Sequence, residues 1–543
     1  MFSTDLSDIP GPILRPRSHS ALKTINIIDK ILLKLSEDPL ATKADLVSMA
    51  QCCRAFEDPS LNHLWASMSS VVPLLKLIHG VEEFQGSLAR IPFRKITHED
   101  LSPRFHSYAK HIRNINYDVS GDFNQVDTST WMRLARLDSA LLPNLKSFKL
   151  SYLNPSTLGR ERSLLLLPAL IRRGPVVSFS FKTTSVVSYR ARYEVGPILT
   201  LLSDYNLGIE VLEAAGTFTA RYSQVLRTVQ TLQSVSLELS LDSPLPDILT
   251  TLSSLPNLRK LGLVFFGITP DPDHLKSYLF PKLVGIVLRG RITFISRTLA
   301  SVNVIGLECV DVQVMPGAGD GVQDSVSSSL QLSRFPALRK ISVDLVGCDP
   351  SHRYEDRDNK LSFVAPMLGN QRVEELVITS LESTMCLSDY EVIQLATAWP
   401  LLRILRLEHT SPPVMQPSFA SLATLAARCP RMTQLSISLR EDHLRDVTRK
   451  WKLRPIMGAL NLQHTKITQY VRAARYISGL FPLLHNFDMS EQRAGETMHN
   501  IMFRGDEIED VEKVDDVHLK EVPKVEIEPP ESSPRKMKKK GKK

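Results

Sequence analysis

One phrase recurs along this 543-residue chain: Pro-x-Φ-x-x-Φ-x-Φ, where Φ is apolar. It runs as Pro143, Leu145, Phe148, Leu150 and again as Pro256, Leu258, Leu261, Leu263. It returns at Pro281 (Leu283, Ile286, Leu288) and Pro336 (Leu338, Ile341, Val343). Further copies start at Pro400 (Leu402, Leu405, Leu407), Pro430 (Met432, Leu435, Ile437) and Pro482 (Leu484, Phe487, Met489). Without the proline it recurs from Ile209, Leu232, Val304 and Val373, and in weaker form from Val176. Most steps between successive first apolar positions fall between 21 and 35 residues; the last, from Met432 to Leu484, is longer. A unit this short cannot bury its apolar face alone, so stacked neighbours must share one core. The last two Φ positions alternate, as on a strand with one buried face. Segments before several copies have helical spacing: Asp389 to Trp399 (Val392, Ile393, Ala396), Phe419 to Cys429 (Leu422, Leu425, Ala426) and Gln469 to Leu480 (Val471, Ala474, Ile477, Leu480).

The phrase resembles the leucine-rich-repeat signature L-x-x-L-x-L, which implies a strand and a helical return per repeat. The expected fold class is α/β: an irregular leucine-rich-repeat solenoid with a parallel sheet on its concave side. The chain departs from the regular pattern by lacking an Asn three positions after the last apolar residue. Phe266 stands there after Leu263, and Arg291 after Leu288. Val310 to Gln331, with its Gly-rich Met315 to Gly321, and the charged Gly347 to Lys360 read as loop insertions. Asp442 to Gln469, basic through Arg445, Arg449, Lys450, Lys452 and Arg454, reads as a further insertion that accounts for the long last step.

Ahead of the repeats, Ala21 to Met68 reads as three short helices. In the first, Ile25, Ile28, Ile31, Leu32 and Leu35 fall at spacings of three and four, and Pro39 ends it. The second opens on Thr42, Lys43, Ala44, Asp45, a capping arrangement, and places Leu46, Met49, Ala50 and Cys53 on one side. The third is expected to start at Asp58-Pro59, with Leu61, Leu64, Trp65 and Met68 on one face. So thin a core must be completed against something else.

This stretch resembles the F-box of fungal F-box proteins. The matching elements are the apolar first helix, the Asp45-Leu46 opening, Cys53-Arg54-Ala55-Phe56, Asp58-Pro59, Leu61 and Leu64-Trp65, over about 45 residues. Where that family often has Pro-Glu, this chain has Ile25-Asn26. The resemblance implies a substrate-recognition subunit of a Skp–cullin–F-box ubiquitin ligase. It implies a Skp-type adaptor, through it a cullin, and a protein substrate held by the repeats. Ile28, Ile31, Leu32, Leu35, Leu46, Met49, Phe56 and Trp65 are the candidates for the adaptor face and its supporting core. The alternative is a repeat scaffold without a ligase role, nuclear through its basic C-terminal run.

For the substrate surface, alternation points to the residues flanking the inward positions: Lys149, Lys260, Arg289, Lys340, Glu375, Arg406, Glu408 and Gln434. Their mixed charge favours a protein partner over nucleic acid. The net charge of +8 is modest for the length and is a statement about solubility. The six cysteines lack disulfide-scaffold or metal-ligand spacing, so reduced thiols in a cytoplasmic or nuclear protein are expected. No apolar run approaches 18 residues, so no membrane span is expected. No nucleophile elbow, phosphate loop or zinc pattern is present, and neither enzymatic activity nor a cofactor is expected.

The expected organisation is a flexible N-terminus (1–20), the helical module (21–68), a connecting region (69–135), the repeats (136–503) and a disordered charged tail (504–543). Within the connecting region, Ala109 to Tyr117 reads as a strand and Trp131 to Leu137 as a helix. The tail carries 11 acidic and 11 basic residues, with seven Lys/Arg among the nine from Arg535 to Lys543.

Overall fold

The computed structural model describes residues 24–504 except 39–41, 80, 85–86, 90–96, 119–125, 127, 138–139, 153–169, 172–174, 184–195, 206, 217, 219, 240–242, 266–275, 316–329, 346–366, 381–386, 410–415, 442–455, 463 and 490–491. The expected N-terminal lead, the Gly347 to Lys360 insertion, most of the Gly-rich loop, the basic run before Ile456 and the charged tail therefore lie outside the described residues. The chain divides into two units, Met1–Thr384 and Met385–Lys543.

The first unit opens with helices α1 (Ile25–Glu37), α2 (Lys43–Cys52) and α3 (Arg54–Ala66). α1 stops before Pro39, as its sequence dictates. The start of α2 is tied by Asp45, whose carboxylate accepts from the Thr42 amide at 2.7 Å and the Thr42 hydroxyl at 2.9 Å. α3 begins four residues before Asp58 and carries Pro59 inside it, which corrects the expected start. Proline removes one donor from a helix; here the turn before it is anchored by Phe56, only 7% exposed, whose amide bonds the Cys53 carbonyl at 3.0 Å.

α3 runs directly into β1 (Ser67–Met68), the edge of a parallel sheet. The sheet continues through β2 (Asn114–Asp118), β3 (Ser147–Tyr152), β4 (Ser178–Thr183), β5 (Val211–Gly216) and β6 (Ser234–Leu239). Beyond these come β7 (Lys260–Phe265), β8 (Gly285–Gly290), β9 (Cys309–Val314), β10 (Lys340–Leu345) and β11 (Glu375–Ser380). Each strand pairs with its successor, so the sheet grows in chain order. Helices return the chain between several strands, as at Leu245–Ser253 and Ile292–Ser301.

Register is kept one to one. Ile286 stands opposite Leu261 and Val310, and Leu288 opposite Leu263 and Val312. All six are at most 1% exposed. Burying a side chain of this size contributes about 1.5–3 kcal/mol before entropy is counted. The turns repeat one bonding scheme. The carbonyl just before a strand takes two amides from the next repeat: Arg113 from Lys146 and Ser147, Lys146 from Val177 and Ser178, Glu210 from Gln233 and Ser234. At the end of β8, Gly290 has φ +152°, and a Cβ there would lie 2.2 Å from the Phe265 carbonyl oxygen.

In the second unit, β12 (Ile404–His409), β13 (Gln434–Ser436), β14 (Ala459–Leu462) and β15 (Asn486–Met489) form the same kind of parallel ladder. Helices Asp389–Ala398, Ala420–Arg428 and Tyr470–Leu480 lie where their spacing placed them. Glu441 caps the last of these from the preceding repeat, accepting from the amides of Thr468 and Gln469. Helix Gln492–Arg504 packs on helix Tyr470–Leu480 and on β15.

Four sequence expectations change. The strand expected over Ala109 to Tyr117 begins only at Asn114, because Pro103–Ala109 is helical with Ser102 accepting from the Phe105 amide. Its Ile112, Ile115 and Tyr117 are a copy of the repeat, so the ladder starts ahead of residue 136. The expected Val310 to Gln331 loop gives up its first residues to β9, and the copy there starts at Leu307, not Val304, as pairing of Val310 with Ile286 requires. The expected Asp442 to Gln469 insertion holds a hidden copy: Met457, Leu460 and Leu462, each at most 1% exposed. The long last step is thus two ordinary ones.

That copy makes a direct test. Leu462→Ala is expected to cost the second unit about 2–5 kcal/mol, the range for a buried leucine. The measurement is the denaturant midpoint followed by fluorescence of buried Trp399. A surface insertion would leave the midpoint within error.

Candidate interaction surfaces

The helical module has its own small core: Ile28, Leu32, Leu46 and Phe56, with Leu35, Met49 and Leu64 packed against it. This separates the eight candidates for the adaptor face. Ile28, Leu32, Leu46 and Phe56 are interior, while Leu35 and Met49 line that interior. Ile31 is 41% exposed. Trp65 turns away from this core and stacks on Tyr108, ring centroids 4.8 Å apart.

Around Trp65 the module is fastened to the sheet. Lys110 Nζ donates to Asp58 Oδ1 at 3.3 Å, His111 Nδ1 lies 2.5 Å from Asn62 Oδ1, and the Arg113 amide bonds the Ala66 carbonyl at 3.0 Å. The flank of α1 away from these contacts stays uncovered. Ile27 (40% exposed) and Ile31 share it at i,i+4, and Val47 on α2 is 39% exposed. Ile25 and Leu33 are also exposed. Ile27 and Val47 were missed in the sequence because they fall between the core positions of their helices. The missed signal was a second apolar stripe, Ile27–Ile31, beside the Ile28–Leu32–Leu35 stripe.

On the sheet, register sorts the open face into rows. Lys260, Gly285, Cys309, Lys340 and Glu375 form the first outward row across β7–β11. Lys149 stands in the next row with Asn116 and Ser180, and Arg289 in the third with Val264 and Gln313. In the second unit Gln434 faces Ile404, Arg406 faces Ser436, and Glu408 follows two residues on from Arg406 along β12. All eight predicted positions therefore share the parity that faces away from the buried columns. Within the first unit the five positions there are spread from β3 to β11.

Some satisfy one another. Lys340 Nζ is 3.0 Å from Glu375 Oε2, and Arg406 Nη2 donates to Gln434 Oε1 at 2.9 Å. The Glu375 hydrogen bond holds the Lys340 pKa above its ordinary value. Being exposed, such a pair stabilises by no more than about 1 kcal/mol. Behind the sheet, burial pushes the Cys429 thiol up to about 12, which leaves it unreactive. Among the described residues no cluster of His, Cys, Asp or Glu is placed to hold a metal, and no helix is long and apolar enough to cross a membrane.

His111 reports on the joint between module and sheet. It is 3% exposed, with Nε2 3.5 Å from Asp58 Oδ1. Burial lowers its pKa below 6.5, aided by Lys110 and opposed by Asp58. The unfolded chain therefore binds this proton first. Stability from this residue is full above pH 6.5 and falls as pH drops from 6.5 toward the lower folded value. His111→Gln is expected to flatten the slope of the denaturation midpoint between pH 6.5 and pH 5. An unchanged slope would remove His111 as its source.

No family model matches this chain, and no curated protein matches it. Among solved structures, the TLR13–ssRNA13 complex is similar at 13% identity over 71% of this chain and 50% of that chain, with a TM-score of 0.33. An internalin (inlF) from Listeria monocytogenes str. 4b F2365 shares 11% identity over 65% of this chain and 82% of its own, TM-score 0.31. The crystal structure of the Rad7 and Elc1 complex in yeast shares 14% identity over 86% of this chain and 90% of that chain, TM-score 0.32. This chain spans half the length of the TLR13 chain it matches.

Proposed function

We propose that this chain, a leucine-rich-repeat solenoid carrying a three-helix module, is a substrate-recognition subunit of a Skp–cullin–F-box ubiquitin ligase. In this role the module docks the Skp-type adaptor, and the repeats hold a protein substrate. The observation that carries the reading is how the module divides its faces. Ile28, Leu32, Leu46 and Phe56 close its own core, Trp65 fixes it to the sheet, and the Ile27–Ile31 flank is left bare beside them. An exposed apolar stripe on a small helical unit costs solubility unless a partner covers it. The sequence supports the same reading through Cys53-Arg54-Ala55-Phe56, Asp58-Pro59 and Leu64-Trp65. The transfer chemistry belongs to other subunits; this chain supplies orientation and effective concentration.

The test is co-purification with a Skp-type adaptor. The double variant Ile27→Asp, Ile31→Asp alters exposed positions, so the chain is expected to fold and to lose at least about tenfold in adaptor affinity, a change of about 1.4 kcal/mol. Leu32→Asp, in the core, is expected to unfold the module and serves as the structural control. If the folded double variant binds like wild type, docking through this flank is wrong. The second reading, a scaffold without a ligase role, is favoured by Ile25-Asn26 where the family often has Pro-Glu. It is selected if the wild-type chain captures no adaptor and its partners' levels ignore proteasome inhibition.

A further inference from the structure

The first strands of the sheet differ in charge from the rest. In the first two outward rows, β2–β4 carry Asn114, Asn116, Ser147, Lys149, Ser178 and Ser180. Further along, the same face carries both signs: Glu213 and Glu238 on β5 and β6, then Asp311, Asp344 and Glu375 interspersed with Lys260, Arg289 and Lys340. On the rim, the Arg113 carbonyl accepts from the amides of Lys146 and Ser147, which sets Arg113 beside Lys146. Arg113 also lines a cleft of about 300 Å³ with Asp29, Lys30, Leu33, Asn62, His63 and Ala66. Lys30, Arg113, Lys146 and Lys149 are exposed, and among the described residues none has a side-chain partner. The described carboxylates near them are few. Asp29 lines the cleft, Asp58 is engaged by Lys110 at 3.3 Å, Glu210 stands two strands along the rim from Lys146, and Glu213 lies two strands beyond Lys149, engaged by the Ser180 hydroxyl at 3.0 Å.

We propose that this patch, from Lys30 and Arg113 across Lys146 to Lys149, binds a short acidic segment of a protein partner. Charge complementarity selects the occupant: four cations with no side-chain partner among the described residues lie beside neutral Asn and Ser side chains. Size selects its length. Three strands about 4.8 Å apart span about 10 Å, and three residues along a strand cover about the same. That footprint fits three or four extended residues. A longer polyanion such as nucleic acid would run onto Glu213 and Glu238 of β5 and β6, about a screening length away. The anionic groups are Asp/Glu carboxylates or phosphoserine, which share the chemistry the patch recognises. The proposal rests on the sheet being the binding surface, and not on adaptor docking.

The experiment measures fluorescence anisotropy of labelled peptides on the full chain. The peptides are a Gly/Ser-flanked run of four Asp/Glu, its phosphoserine counterpart and its Asn/Gln counterpart. A single-stranded RNA of equal charge is the comparison. The acidic peptide is expected to bind at least tenfold tighter than the neutral one and to weaken as salt rises. Lys146→Glu with Lys149→Glu is expected to abolish the difference, while Lys146→Arg with Lys149→Arg keeps it. Tighter binding of the phosphoserine peptide than of the Asp/Glu one identifies phosphorylation as the source of the charge; equal or weaker binding identifies carboxylates. Equal binding of acidic and neutral peptides, insensitivity to the charge reversal, or RNA binding at least as tight as the acidic peptide would overturn the proposal. Adaptor capture by the charge-reversed chain is read separately, so a failure of either idea does not carry the other with it.

Discussion

The structure depends on one constraint: each repeat presents a half-buried strand that only its neighbours can cover. Leu263, Leu288, Val312 and Val343 form a single buried column contributed by four separate repeats. A slip of one residue in any strand would turn its whole column to water. The conserved register therefore follows from burial. It also fixes which residues face outward without any help from those residues, and this frees the open face to vary in charge along its length.

The turns show how an irregular repeat satisfies its backbone. A regular Asn ladder is missing, yet single side chains do comparable work at scattered places. Asn144 donates to the Lys110 carbonyl at 2.6 Å, Thr231 to Ile209 at 2.6 Å, Asn257 to Gln230 at 3.2 Å and buried Asn370 to Leu332 at 2.9 Å. A buried polar group left without a partner costs more than a made bond contributes. Selection by that cost needs a donor at each turn, not the same donor. This tolerance accounts for uneven repeat lengths within one continuous ladder.

The module at the N-terminal edge follows a different logic. Its core is only a few residues, too small to hold three helices firmly by itself. Continuity of α3 into β1, the Trp65–Tyr108 stack and the His111–Asn62 contact lend it the stability of the sheet. The module is thereby held in a fixed relation to the basic patch at Arg113, Lys146 and Lys149.

By itself, the sequence determined the repeat, the strand parity and the outward set of eight residues, because period and alternation are local properties. It also determined the stop of α1 and the Thr42–Asp45 cap. It missed the copies at Ile112 and Met457, one hidden beside a helix and the other inside a basic stretch, since three apolar residues carry little signal without neighbours. Tertiary structure alone decided that Trp65 belongs to the joint and Ile27 to the surface. Both residues sit on amphipathic helices, and periodicity names an apolar face without naming what covers it. Pairing supplied the rest: only when Lys146 and Arg113 are joined through adjacent strands do residues 33 apart in the chain become one charged surface.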